Sequence, residues 1–166
     1  APVGQDVRYG VTKTELGRNF ANKIWNATRF ALMNLGEGQI KPWNEDERLD
    51  RDLLSLPDRW ILSRVEAVSE DLRTSLAAFR LNDAATTLYR FIWGELCDWY
   101  LELVKPTLYG TDESTTQTTR RTLVTVLDHV MRLLHPFMPF ITEEIWHALP
   151  IRRQITSIML APYPGA

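Results

Sequence analysis

Residues 82–105, NDAATTLYRFIWGELCDWYLELVK, read as one long helix, and the rest of the chain is organised around that reading. Ala85, Leu88, Ile92, Leu96, Trp99 and Leu103 fall on one helical stripe and Tyr89, Trp93, Cys97, Tyr100 and Val104 on the next, so apolar residues cover about half the cylinder. A helix this apolar must sit between partners, since each large side chain it buries contributes roughly 1.5–3 kcal/mol. Asn82 is the expected N-cap, and Lys105-Pro106 the expected stop, because proline disfavours helical geometry in the residue before it.

Working outward, 166 residues with 45% hydrophobic and 24% charged side chains suit one soluble domain with a real core. No apolar run reaches membrane-spanning length and APVGQDVRYG lacks a signal-peptide pattern, which leads us to expect a cytoplasmic protein. The single cysteine, Cys97, lies on the wide apolar face and is expected to be a buried structural thiol. His129, His135 and His147 show no zinc-ligand spacing with it.

The remaining segments supply the helices that would pack around 82–105. Thr12 and Glu15 form a candidate capping box and Gly36 a C-terminal stop, giving a helix over 13–35 whose buried stripe is Leu16, Phe20, Ile24, Ala27, Ala31 and Leu35, with Trp25 and Leu32 beside it. Residues 36–54 read as a long polar connection with a short helical turn near its end. Ser55, Pro57 and Asp58 open a second helix with Ile61, Val65, Val68, Leu72, Leu76 and Phe79 inward, expected to form an antiparallel hairpin with 82–105. Residues 107–119 read as a loop running into a third bundle helix carrying Leu123, Leu127, Val130 and Leu134. HPFMPF then leads to a short helix opened by Thr142, Glu143 and Glu144, with acids suited to the first-turn dipole, and stopped by Pro150. The fold expected is all-α: an antiparallel bundle of four to five helices over 13–150, a lead-in over 1–12, and an extended strap over 151–166.

Chemistry-bearing patterns are sparse. There is no phosphate-binding glycine loop, no G-x-S-x-G, no C-x-x-C and no H-E-x-x-H. Glu144-x-x-His147 is half of a di-iron motif that needs a second copy, and the chain has one. Asp98 and Glu102 share a helix face and are expected to be paired surface or interface charges. No catalytic constellation and no metal site is read.

The unusual feature is on the first helix. Net charge is −2, yet residues 1–36 carry Arg8, Lys13, Arg18, Lys23 and Arg29 against Asp6 and Glu15, so this end is basic and the remainder acidic. Asn19, Asn22, Lys23, Asn26, Arg29, Phe30 and Met33 recur on one face. Asparagine competes for the helical backbone, so three on one face suggest a purpose beyond helix formation. On residue types alone, a solvated face and a binding face both remain open.

GQDVRYG, GRNFANKIWNATRFALMN, DRWILSR, LNDAATTLYRFIWGELCDWYLELVKP and LLHPFMPFITEEIWHALP together resemble the helical anticodon-binding domain of class Ia aminoacyl-tRNA synthetases. HPFMPFITEEIW places the superfamily; RNFANKIWNATRF and ELCDWYLELVKP are most similar to the valyl members. The resemblance weakens over 37–54 and 107–120. It implies a parent enzyme that ligates valine to its tRNA with ATP, in a catalytic domain of the same chain. The HIGH and KMSKS signatures of that domain are absent here, so we expect a fragment inactive by itself and holding no cofactor, with 1–12 as the linker from the catalytic domain. It also implies that Arg8, Asn19, Lys23, Asn26, Arg29 and Phe30 contact the anticodon arm of the valine tRNA: amides reading base edges, Phe30 offering a stacking surface, and cations meeting phosphates. The competing readings are the equivalent isoleucyl domain, and a helical protein-interaction module that docks through this face and the Trp43 loop.

Overall fold

The computed structural model describes residues 11–44, 47 and 54–164, with side chains from Thr14 onward. The helices are α1 (Val11–Asn34), α2 (Leu56–Ala77), α3 (Leu81–Arg90), a π-helical segment (Phe91–Tyr100) that continues α3 directly into α4 (Leu101–Leu108), α5 (Glu113–Leu134) and α6 (Pro139–Ala148), and a 3-10 turn follows at Ile158–Leu160. Among the described residues there is no strand.

Pairings between helices fix their directions. Arg64 meets Glu95 and Asp58 meets Tyr100, so α2 runs against the long helix over 81–108. Phe20 lies beside Trp93 and Phe30 beside Lys105, so α1 runs with it. Asp58 bonds Thr119 and Ser69 bonds His129, so α5 runs with α2. The result is the expected all-α bundle, four helices alternating in direction, with α6 closing one end against α5 and α1.

Three turns have local causes. Ser55 accepts a bond from the Asp58 amide and starts α2, with proline in the first turn. Asp112 accepts from the Ser114 and Thr115 amides and starts α5. Gly36, at φ +75°, ends α1 in a left-handed conformation; a Cβ there would lie 3.3 Å from the Arg120 guanidinium, which donates 2.8 Å to the carbonyl of Asn34.

α1, α2 and α5 all pack on the long helix over 81–108, as the sequence suggests, and α5 is the most completely buried of its partners. Every residue from Thr122 to Met131 is buried. Its polar members hide because their bonds are made internally: Thr122 and Thr125 donate to the carbonyls of Thr118 and Arg121 while accepting from the indole and backbone N–H of Trp43. Asp128 takes Arg153 at 2.8 Å and Arg132 at 3.0 Å.

Several sequence expectations need correction. The π segment adds a residue to the turn and rotates the faces that follow. As a result Leu101 is buried, whereas Trp99 (65% exposed) and Leu103 (47%) leave the core; Ala84 and Phe91, ahead of that rotation, are buried on the face shared with Leu88 and Ile92. Asn82 is the second residue of α3, and Thr12 lies within α1. Pro106 is accommodated inside α4, where it removes one N–H next to an exposed helix end, and the helix stops at Leu108, before Gly110. Leu16, Trp25 and Phe79 are exposed: Leu16 lies in the stretch 14–19 that is exposed throughout, Trp25 lies off the face that buries Phe20, Ile24 and Thr28, and Phe79, at φ 57°, forms the tip of the α2–α3 hairpin. α5 begins at Glu113, well inside the expected loop.

α6 begins at Pro139, so Glu143 stands beyond the first turn. It accepts from Ser157 and the Ile158 amide and so fastens the C-terminal strap. The strap itself is bent, not a strand. Arg153 holds it by bonding Asp128 and the Trp146 carbonyl while lying 3.5 Å from the Trp146 ring centroid. Trp43 is buried, its ring covered by Arg121 at 3.7 Å, and is unavailable for docking another domain.

Candidate nucleic-acid interface

The polar face of α1 looks onto a groove of about 270 Å³ between α1 and the π–α4 part of the long helix. The two helices run in the same direction here, so residues spaced by one turn on α1 meet residues spaced by one turn opposite. Ala27, Cys97 and Leu101 make the apolar lining, and Asn26, Phe30, Lys23, Lys105 and Glu102 the rest. Burial, partly offset by Lys23 and reinforced by Asp98, pushes the Cys97 thiol up to about 11, so it contributes shape and no charge.

Of the six residues named from the sequence, three converge. Lys23 pairs with Asp98 across the helix interface, and its ammonium stands 4.5 Å from the Trp93 ring centroid. Asn26 is exposed, with its amide on the groove. Phe30 is half-buried, one turn further on, with the Lys105 ammonium 5.5 Å from its ring centroid. Asn19 and Arg29 are exposed and flank the groove without lining it. Arg8 lies outside the described residues.

The opposite wall could not be assigned from α1 alone. Lys105 pairs with Glu102 at 2.5 Å, and Asp98 holds Lys23, so each groove lysine has an aromatic ring and a carboxylate as neighbours. Asp98 and Glu102 are thus the paired charges the sequence suggests. The signal for the whole set is only visible once α1 is registered against 98–105. Below the groove Phe20, Tyr89 and Trp93 form an aromatic cluster, with Phe20 and Tyr89 centroids 4.7 Å apart and Tyr89 40% exposed.

Chemically the groove offers an amide, an aromatic ring, two ammonium groups and the Glu102 carboxylate over an apolar floor, with Asp98 pairing Lys23 beside it. A larger groove of about 670 Å³ lies beside Trp43, but its Arg121 is committed to the Lys41 and Pro42 carbonyls and to Glu47. Among the described residues no group of three or more His, Cys, Asp or Glu could hold a metal, and His147 bonds Glu143 rather than Glu144. No helix of the described residues is long and apolar enough to cross a membrane.

Comparison with known proteins agrees with this architecture. Relatives include the valine--tRNA ligase of Geobacter sulfurreducens, 51% identical over 164 residues that make up 99% of this chain and 18% of the relative. Those of Geobacillus kaustophilus and Geobacillus stearothermophilus are each 49% identical over 162 residues, 97% of this chain and 18% of theirs. The chain thus spans 18% of the length of these relatives, and the alignments include α1 and its polar face. A family model described as the anticodon-binding domain of tRNA ligase matches residues 58–166. The chain belongs to the family of anticodon-binding domains of tRNA ligases.

Proposed function

We propose that the chain binds the anticodon arm of the tRNA for valine, as the anticodon-binding part of a cytoplasmic valyl-tRNA synthetase. In that reading the parent enzyme joins valine to its tRNA with ATP in a separate catalytic domain, and these helices supply recognition. The observation that carries the proposal is the convergence of Lys23, Asn26 and Phe30 on one groove against the long helix. An unstacked anticodon base has a face for Phe30 and edge groups for the Asn26 amide, while Arg29 and Asn19, on the exposed rim, lie where the backbone of the loop would pass. Arg8 is a further candidate contact on the lead-in to α1. The identity of the relatives supports valine over isoleucine as the cognate amino acid.

The test is a titration of the chain with valine and isoleucine anticodon stem-loops at low and moderate salt. The valine loop should bind more tightly, and Phe30→Ala and Asn26→Ala should weaken it with the fold intact, each base contact being worth about 1–3 kcal/mol. Equal binding of both loops by all three proteins would refute the recognition role.

A further inference from the structure

The charges around the groove cancel: Lys23 and Lys105 are cationic, and each is held by a carboxylate on the long helix, Asp98 and Glu102 respectively. This arrangement is unlike a simple phosphate-binding surface, which gains affinity by leaving its cations free to displace counterions. Each lysine also stands over an aromatic ring, so the carboxylate is not the only group that attracts it. Both pairs are partly open to solvent, with side-chain exposures of 28% and 48% for Lys23 and Asp98 and 36% and 61% for Lys105 and Glu102. At such exposure an ion pair is worth only about 0–1 kcal/mol, too little to explain it as a stabilising device.

We infer that Asp98 and Glu102 are specificity-determining residues that suppress sequence-independent RNA binding, by occupying the two groove lysines against free phosphate. The inference rests on the anticodon-arm reading of the groove. A phosphate arriving without a base must displace a carboxylate to gain each lysine. A base seated between Asn26 and Phe30 meets both pairs intact, as the walls of its site. The carboxylates therefore penalise the purely electrostatic mode and leave the base-reading mode unaffected.

The experiment compares the chain with its Asp98→Asn and Glu102→Gln variants, and with the double variant. Each is titrated over a salt series with a valine anticodon stem-loop and with a stem-loop of unrelated sequence, after urea unfolding has shown the fold unchanged. Each single variant should bind the unrelated loop about two- to fivefold more tightly, with its salt dependence steeper by about 0.7 in the log–log slope per phosphate gained, while valine-loop affinity moves less. Unchanged affinity for the unrelated loop overturns the inference and leaves the anticodon-arm reading standing. So does a loss of valine-loop affinity in Glu102→Gln, which would make that carboxylate a base reader. Absence of binding to either loop by any of the proteins overturns the inference and the anticodon-arm reading together.

Discussion

Asp58 sits where α2, the long helix and α5 meet, and replacing it tests whether a buried hydroxyl network holds the bundle in register. Its carboxyl accepts from Tyr100 at 2.7 Å, Ser55 at 2.7 Å and Thr119 at 3.0 Å, and Asp58, Tyr100 and Thr119 are each 0% exposed. In Asp58→Ala the Ser55 hydroxyl is only half-buried and can turn to water, and it still accepts from the backbone amide at position 58. Thr119 can fall back on a carbonyl of its own helix, as Thr122 and Thr125 do. Tyr100 cannot: burial and the adjacent Asp58 hold its phenol well above the usual range, so it stays a protonated donor whose acceptor has been removed. A buried donor left unpaired costs about 1–3 kcal/mol, and a fully buried phenol belongs at the upper end, so the loss should be about 2–3 kcal/mol. Tyr100→Phe removes one bond and leaves Asp58 two donors, for about 1–2 kcal/mol. The double variant should be less destabilised than the sum, with a coupling of about 1–2 kcal/mol. Urea unfolding measures all three. A loss below about 1 kcal/mol for Asp58→Ala, or strict additivity, would refute the network's role.

Other consequences follow from particular side chains. With Cys97 pushed to about 11 from an ordinary 9.0, its thiolate fraction at pH 8 is reduced about 100-fold, and a thiol reagent should label the native chain at least that much more slowly than the urea-unfolded one. Burial raises the Glu143 carboxyl, but bonds from His147, Ser157 and the Ile158 amide outweigh it and hold the group below its ordinary 4.5. A depressed folded value means stability that is present above 4.5 and lost as pH falls through the lower folded value. Amide exchange at Ile158 should therefore accelerate, relative to its intrinsic rate, on acidification below that point, and Glu143→Gln should lose the pH dependence. Gly36→Ala forces a side chain into the left-handed region and against Arg120, so it should lower the unfolding free energy by about 1–2 kcal/mol in the same urea assay.

The bundle was legible because the periodic apolar stripes of α2 and α5 are regular: Ile61, Val65, Val68 and Leu72, and Leu123, Leu127, Val130 and Leu134, are all buried as spaced. The long helix was harder. Its residues signal helix, but nothing in a 3.6-residue period announces the π turns of Phe91–Tyr100, and the faces assigned late in them and beyond, at Trp99 and Leu103, were wrong for that reason. The importance of α5 was hidden by its threonines, Asp128 and His129, which read as polar but pair internally. Trp43 looked like a free aromatic because its partners Thr122, Thr125 and Arg121 are some 80 residues away in sequence. On the candidate site, one wall was legible in the unusual asparagines and cations of α1. The other wall, with Asp98, Glu102 and Lys105, depends on inter-helix register, which one helix's periodicity does not contain.

The central claim, that the α1 groove receives the anticodon loop, is tested most directly by mapping contacts on the folded chain. Isotope-labelled protein titrated with a valine anticodon stem-loop should show its first and largest amide and side-chain shifts at 19–34 and 98–105, including the Asn26 amide group and the Phe30 ring. Shifts confined to the strap at 151–164 or to the α2–α3 hairpin, with Asn26 and Phe30 unmoved, would contradict it.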